Sequence, residues 1–346
     1  MDAETYTYDL PKELIANAPA EPRDSARLLV YSTKTDEIVF DTFANLARYI
    51  LSGSVLVLND TKVVPARLTM MKKTGGMVNI LFLMNEWNGE DTIKGLPDRA
   101  LDIGEPIFLV NRPILETVSH TNEEFTFKLL VSPAEFRELD QTYGRTPLPP
   151  YIHSDVPEEK LRHDYQSTFA ANPASVAAPT ASLHFTDKVF ASLDIKEIVR
   201  TKVTLHVGRG TFSPVSEAMK SKSMLHPEPI HVSQASAETI ATAKAAGRKI
   251  VAAGTTAMRL LESAAEPILA GRGYDGETTL FIRPPYEFKI ADALITNFHL
   301  PGTSLLMLID AFLRWKGSKK TWKDLYTIAV KDHFRFYSFG DAMLII

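Results

Sequence analysis

Four histidines stand in segments where an imidazole could move protons: Leu183-His184-Phe185-Thr186, Leu205-His206-Val207-Gly208-Arg209-Gly210-Thr211-Phe212, His226-Pro227-Glu228 and Thr296-Asn297-Phe298-His299-Leu300-Pro301. With an ordinary pKa of about 6.5, an imidazole is the side chain best matched to acid and base work near neutral pH. His226 and Glu228 lie two apart, so in an extended segment they share a face and the carboxylate can orient the ring. His120, His153, His163, His231 and His333 stand in no comparable setting and are assigned no role.

Anion-binding chemistry is written beside these rings. Gly254-Thr255-Thr256 precedes a helix-like run carrying Arg259, an arrangement that offers free amides, two hydroxyls and a cation one turn in. Thr180 and His184 fall just before another helix start, where unpaired amides could hold a carboxylate or phosphate. Asp60 and Asp341 are acidic residues in apolar settings, and a buried carboxylate needs partners or a function. The chain has no cysteine, which excludes disulfides, thiolate metal sites and cysteine nucleophiles together. Two rival readings stay open at this level. One is a metal-dependent hydrolase with the four histidines as zinc ligands, although no compact His-x3-His or His-Glu-x-x-His spacing is present. The other is a non-catalytic RNA-binding module that uses the basic, aromatic stretch from Arg314 to Arg335, where seven Lys/Arg face only Asp324 and Asp332.

The elements that must position these groups alternate along the second half of the chain. Asp187 to Leu193 reads as a helix capped by Thr186 and Ile198 to Val207 as a strand; Ala235 to Gly247 reads as a helix and Lys249 to Ala253 as a buried strand. A helix from Thr255 to Ala265, a strand from Ala291 to Ile295 and an apolar helix from Ser304 to Leu313 follow. Each strand ends on a polar cluster, and in open α/β sheets ligands sit beyond the carboxyl ends of strands, so these clusters are expected to share one crevice. The first half contributes a short helix over Pro11 to Asn17, a strand over Arg27 to Tyr31, helical spacing over Asp41 to Leu51 and the wholly apolar strand Val55 to Leu58. From residue 66 to 150 the texture changes to short strand-like segments, Val78 to Met84, Thr92 to Leu96, Pro106 to Val110 and Glu124 to Val131, separated by glycines, with a helix only from about Pro133. This spacing fits a small inserted β-barrel. The expected fold is therefore α/β: a mixed-sheet main domain made of residues 1–65 and 151–346, with a β-barrel domain at 66–150 inserted in it.

Length and composition agree with two globular domains: 346 residues, 45% hydrophobic and 23% charged, with no apolar run approaching the roughly 20 residues of a membrane helix. The acidic start, Met1-Asp2-Ala3-Glu4, lacks the features of a secretory or transit segment, so the expectation is a cytoplasmic, monomeric protein. A net charge of -4 gives no global attraction to a phosphate backbone, and any nucleic-acid contact must come from a local patch.

Taken in order, the long motifs resemble those of the S-adenosylmethionine:tRNA ribosyltransferase-isomerase family of queuosine biosynthesis. They are Tyr8-Asp-Leu-Pro11, Glu21-Pro-Arg-Asp-Ser-Ala-Arg-Leu28, Val57-Leu-Asn-Asp-Thr-Lys-Val-Val-Pro-Ala-Arg-Leu68, Pro147-Leu-Pro-Pro-Tyr-Ile152, Ser175 to Thr186, Val203 to Phe212, Pro284 to Lys289, Thr296 to Pro301 and Phe339 to Leu344, and they span nearly the whole chain. The resemblance implies a larger α/β domain with an inserted barrel. It implies transfer of the ribosyl part of S-adenosylmethionine to tRNA bearing 7-aminomethyl-7-deazaguanine at the wobble position, with loss of adenine and methionine and isomerisation to epoxyqueuosine. S-adenosylmethionine is then a consumed co-substrate, with no bound cofactor and no metal.

Placed on that chemistry, His206 and His299 are expected as general acid and base, with His184, His226 and Glu228 as positioning groups at the same site. Arg259 is expected to hold the methionine carboxylate, and Asp341 and Glu287 the methionine ammonium or ribose hydroxyls. Thr180, Arg209, Thr255, Thr256 and Asn297 complete the substrate-binding set, and Arg67, Lys316, Lys319, Lys320 and Lys323 are the expected tRNA contacts. The chain departs from the family pattern at Ala174 and Ser182, where glycine is usual, at Gly302, where a basic residue is usual, and in a less basic stretch from Leu96 to Arg99. Serine at 182 resists the positive φ that glycine permits, which marks that turn as the place to look for a changed backbone.

Overall fold

The computed structural model describes residues 6–121, 124–149, 152, 156–208, 210 and 223–346. Its backbone is a nine-stranded mixed sheet in the order Tyr274–Leu280, Met224–Val232, Val199–Leu205, Val55–Asn59, Ile250–Ala253, Ala293–Asn297, Ala342–Ile345, Arg27–Tyr31 and Ile38–Thr42. The apolar runs are strands buried on both faces, and successive side chains enter two different cores. Val55 and Val57 point to one side with Leu29, Ile250, Ala252 and Leu294; Leu56 and Leu58 point to the other with Leu28, Val30, Val251, Ala253 and Ile295. Helices Gln234–Ala245, Thr255–Ser263, Ser304–Trp315 and Trp322–Lys331 supply Ile240, Leu260, Leu261, Phe312 and Leu325 to the first core. Phe43, Phe185, Val189 and Leu193 close the second.

The insertion is a closed six-stranded antiparallel barrel in the order Phe125–Leu129, Thr92–Pro97, Met77–Phe82, Arg67–Lys72, Pro106–Leu109 and Arg112–His120. Leu68, Met70, Val78, Ile80, Phe82, Ile107, Leu115 and Phe127 fill it, and helix Pro133–Tyr143 adds Phe136 to the same core. A small junction core of Val64, Ala66, Leu81 and Val176 fastens the barrel to the sheet domain. The expected α/β main domain with an inserted β-barrel is the architecture found.

Local expectations need correction at several points. The helical spacing of Asp41 to Leu51 yields only a 3-10 turn, Phe43–Arg48, because Asp41 and Thr42 belong to the edge strand. Pro11 to Asn17 likewise shortens to the turn Lys12–Leu14. Met224–Val232 is a nine-residue strand despite Pro227 and Pro229, and its pairing with Tyr274–Leu280 shifts register between Met224 and Glu228, where a proline supplies no amide to the ladder. Among the described residues no helix is long and apolar enough to cross a membrane.

Candidate functional site

Four neighbouring strands, Val199–Leu205, Val55–Asn59, Ile250–Ala253 and Ala293–Asn297, run parallel and end at one edge of the sheet. Ala342–Ile345 runs against them, so its start lies at the same edge, with Ala342 opposite Asn297. A cavity opens here, lined among others by Thr180, His226, Glu228, Thr255, Thr256, Arg259, Asn297 and His299.

Gly254 makes the cavity floor possible. It joins the strand ending at Ala253 to the helix beginning at Thr255 without an intervening loop, and this needs φ of 97°, the left-handed region that glycine alone enters freely. Its amide is tied to the Ile295 carbonyl at 2.8 Å, so the helix N-terminus is fixed against the neighbouring strand. Ala257, Met258, Leu260 and Leu261 bury one side of the helix in the core, which leaves the first-turn amides and the Thr255 and Thr256 hydroxyls at the cavity. The Thr256 hydroxyl is buried and has no partner among the described residues.

Arg259 follows one turn later and is 7% exposed. Its Nε donates to the Leu280 carbonyl at 3.2 Å, its Nη1 forms an ion pair with Glu228, and its Nη2 is buried without a partner among the described residues. Glu228, 5% exposed, accepts the Gly208 amide on its other oxygen at 2.9 Å. The pair is thus neutralised and well bonded, and one guanidinium nitrogen remains available in a cavity wall at a helix N-terminus. His226 also lines the cavity, but the Glu228 carboxylate is directed to Arg259 and Gly208, which is not the His226–Glu228 pairing that the spacing suggested.

His299 stands over the end of the Ala293–Asn297 strand. Its Nε2 lies 2.7 Å from the Thr296 hydroxyl, its amide donates to the Tyr326 hydroxyl, and its carbonyl accepts from Tyr8 at 2.6 Å. The Tyr8 motif therefore works at long range as a clamp on this loop. Burial pushes the His299 ring down to about 3, so it is a neutral imidazole at neutral pH.

His184 and His206 are placed differently. His184 is 4% exposed and lies behind Asn297, with its Nε2 3.2 Å from the amide nitrogen, so the cavity wall is Asn297. Leu205 and Val207 point into the core, and His206 points the other way, its Nδ1 2.8 Å from the Thr61 hydroxyl. There it joins Asp60, which accepts from Thr204 at 2.7 Å and Asn172 at 3.0 Å. Burial lowers the His206 pKa and Asp60 partly offsets this. The four rings are consequently not walls of a single crevice, and among the described residues no three His, Asp or Glu side chains converge as metal ligands.

Asp341, 1% exposed, is saturated by the amides of Arg27 and Arg335 and by the Arg335 guanidinium, and Glu287 is exposed outside the cavity lining. Thr180 opens the turn Thr180–His184 and faces the cavity. Arg209 lies outside the described residues. Ser182 is fully buried with φ outside the positive range, so serine fits the turn without left-handed strain. Gly302 does adopt φ of 73°.

The lysines read as tRNA contacts are not near this edge. Lys316 donates to the carbonyl of Asp292, the residue before Ala293, and Lys320 pairs with Asp36 at 2.8 Å, which places the Lys316–Lys323 stretch at the opposite end of the strands, roughly 15 Å away along a five-residue strand. Of the aromatics in that patch Trp322 and Tyr326 are buried in the core, whereas Trp315, Lys319 and Lys323 are exposed. Arg67 is half-buried in the barrel wall with burial lowering its pKa.

Sequence reasoning placed the start of the helix at Ser304 but did not assign it to the cavity. Leu300, Thr303, Ser304 and Leu305 line the cavity as helix Ser304–Trp315 begins; the Thr303 hydroxyl does not cap the helix but donates to the Leu300 carbonyl at 2.9 Å.

The family model described as "Queuosine biosynthesis protein" matches residues 3–345. A Thermotoga petrophila protein named S-adenosylmethionine:tRNA ribosyltransferase-isomerase is 41% identical over 346 residues, covering 100% of both chains. A Thermus thermophilus protein of the same name is 42% identical over 350 residues and covers 99% of each. The crystal structure of S-adenosylmethionine tRNA ribosyltransferase from Thermotoga maritima matches with a TM-score of 0.55 and 31% identity over 99% of both chains.

Proposed function

The chain belongs to the family of queuosine biosynthesis proteins, and from that premise we propose that it is an S-adenosylmethionine:tRNA ribosyltransferase-isomerase acting at the cavity on the carboxyl edge of its sheet. The observation that carries this reading is the unpartnered Arg259 Nη2 beside the Thr255–Thr256 helix start, a built site for a carboxylate such as that of methionine. S-adenosylmethionine binds there by its amino-acid end, and its ribose extends toward His299. The sulfonium acidifies the adjacent 5′ carbon, and the neutral His299 ring takes that proton. Adenine leaves with a proton supplied from His226, the other imidazole in the lining. The transferred ribosyl group joins the aminomethyl nitrogen of the deazaguanine in the wobble position of tRNA and is isomerised to the epoxycyclopentane, and methionine is released. Thr180 and Asn297 contribute further polar contacts to the substrate.

The test is incubation of the protein with S-adenosylmethionine and tRNA carrying 7-aminomethyl-7-deazaguanine. Free adenine and methionine in equal amounts are expected. Formation of S-adenosylhomocysteine would replace this reading with methyl transfer, and absence of any release overturns it.

A further inference from the structure

One residue of the cavity wall carries a side-chain oxygen with no partner among the described residues. Asn297 ends its strand, is 1% exposed and lines the cavity, and its Oδ1 is buried and unbonded. Its Nδ2 meets two acceptors, His184 Nε2 at 3.2 Å and the Asp341 carbonyl at 3.5 Å. The His184 ring sits one layer back, packed on Phe43 with ring centroids 5.0 Å apart. The Asp341 carbonyl can only accept, so it fixes the amide nitrogen on this side, and the His184 Nε2 facing the same nitrogen is the bare atom of a neutral ring, accepting from Asn297. Turning the amide over would set its oxygen against two acceptors and lose both bonds.

We infer that His184 is a positioning residue that acts through Asn297, locking the amide so that its oxygen stands in the cavity as acceptor for a hydroxyl or amino hydrogen of the substrate. This rests on the reading of the cavity as the S-adenosylmethionine site.

The experiment compares His184→Phe, which keeps the ring volume against Phe43 and removes the acceptor, with His184→Gln, which keeps an acceptor. Calorimetric titration with S-adenosylmethionine is expected to show binding about 10-fold weaker for His184→Phe and within about threefold of wild type for His184→Gln, the scale of one hydrogen bond. The double variant His184→Phe/Asn297→Ala is expected to bind no worse than Asn297→Ala alone. Losses that multiply, or equal losses in the Phe and Gln variants, overturn the inference. In ligand-free protein, nitrogen chemical shifts of the His184 ring are expected to show Nδ1 protonated and Nε2 bare from pH 6 to 8, and the opposite tautomer overturns it whatever the ligand. A wild-type protein with the expected tautomer and no affinity for S-adenosylmethionine defeats the proposed function instead.

Discussion

At the scale of single residues, Arg259 and Glu228 define the site's electrostatics. Both are buried, so removing either one leaves the other as a buried charge without its counterion. Arg259→Met is expected to weaken S-adenosylmethionine binding by about 100-fold, the value of a charge-assisted bond, and to lower the melting temperature by leaving Glu228 without its counterion. Adding Glu228→Leu should recover the melting temperature and leave binding lost; recovery of binding would show that Arg259 does not touch the ligand. His299→Ala is expected to cost about 100-fold or more in turnover with the fold intact, and near-normal turnover would remove it from the mechanism. His184 and His299 also set a pH dependence of stability. Both rings are pushed down to about 3 from 6.5, so between these values the unfolded chain takes up protons that the folded one refuses. Stability is therefore full above about pH 6.5 and falls as the pH drops toward 3, and His184→Gln should flatten that fall in thermal unfolding. Arg259, Thr255 and His299 were readable as site residues because each follows a strand end in a recognisable turn. His206 was not, because a single step along an extended chain reverses the face, and only the pairing of its strand shows which way it points.

Elements make sharper demands than composition suggests. Gly208 is needed because the barrel leans on it: a Cβ there would sit 2.6 Å from Nδ2 of the buried Asn85, in the 3-10 turn Met84–Glu86. Gly208→Ala should lower both stability and turnover, since its amide holds Glu228, and Asn85→Ala in the same chain should restore them; failure of that rescue would locate the cost in the backbone. In helix Pro133–Tyr143, Asp140 is buried with neither oxygen bonded and its pKa is raised to about 8 by desolvation. Its carboxyl stays protonated in the fold while the unfolded group ionises near 3.8, so this contribution is lost as pH climbs from about 4 to 8, the reverse of the histidine effect. Asp140→Asn is expected to raise the melting temperature more at pH 8 than at pH 5. The buried strands and the Gly254 turn could be read from apolar runs and glycine. Met224–Val232 could not, since its two prolines read as loop until the register shift that accommodates them is seen.

The whole molecule separates its two ends. The cavity occupies the edge where the parallel strands finish, and the Lys316–Lys323 stretch occupies the other, with Lys316 and Lys320 engaged by Asp292 and Asp36. Lys319→Glu/Lys323→Glu is accordingly expected to leave the KM for tRNA within about twofold at moderate salt; a tenfold rise with a shallower salt dependence would bring the RNA across the far edge. The layered α/β plan with its barrel insertion was evident from the change of texture near residue 66, because periodicity and glycine spacing are local properties. Which polar clusters meet in space depends on strand order, and that is not local.

The contact between Asn85 and Gly208 also bears on how such a chain can vary. The barrel and the cavity wall touch with no room for a methyl group, so a larger residue at 208 is tolerable only with a smaller one at 85. Among relatives these two positions, 123 apart in the chain, should drift as a pair, and a barrel grafted from one relative onto another should function only when both partners travel with it.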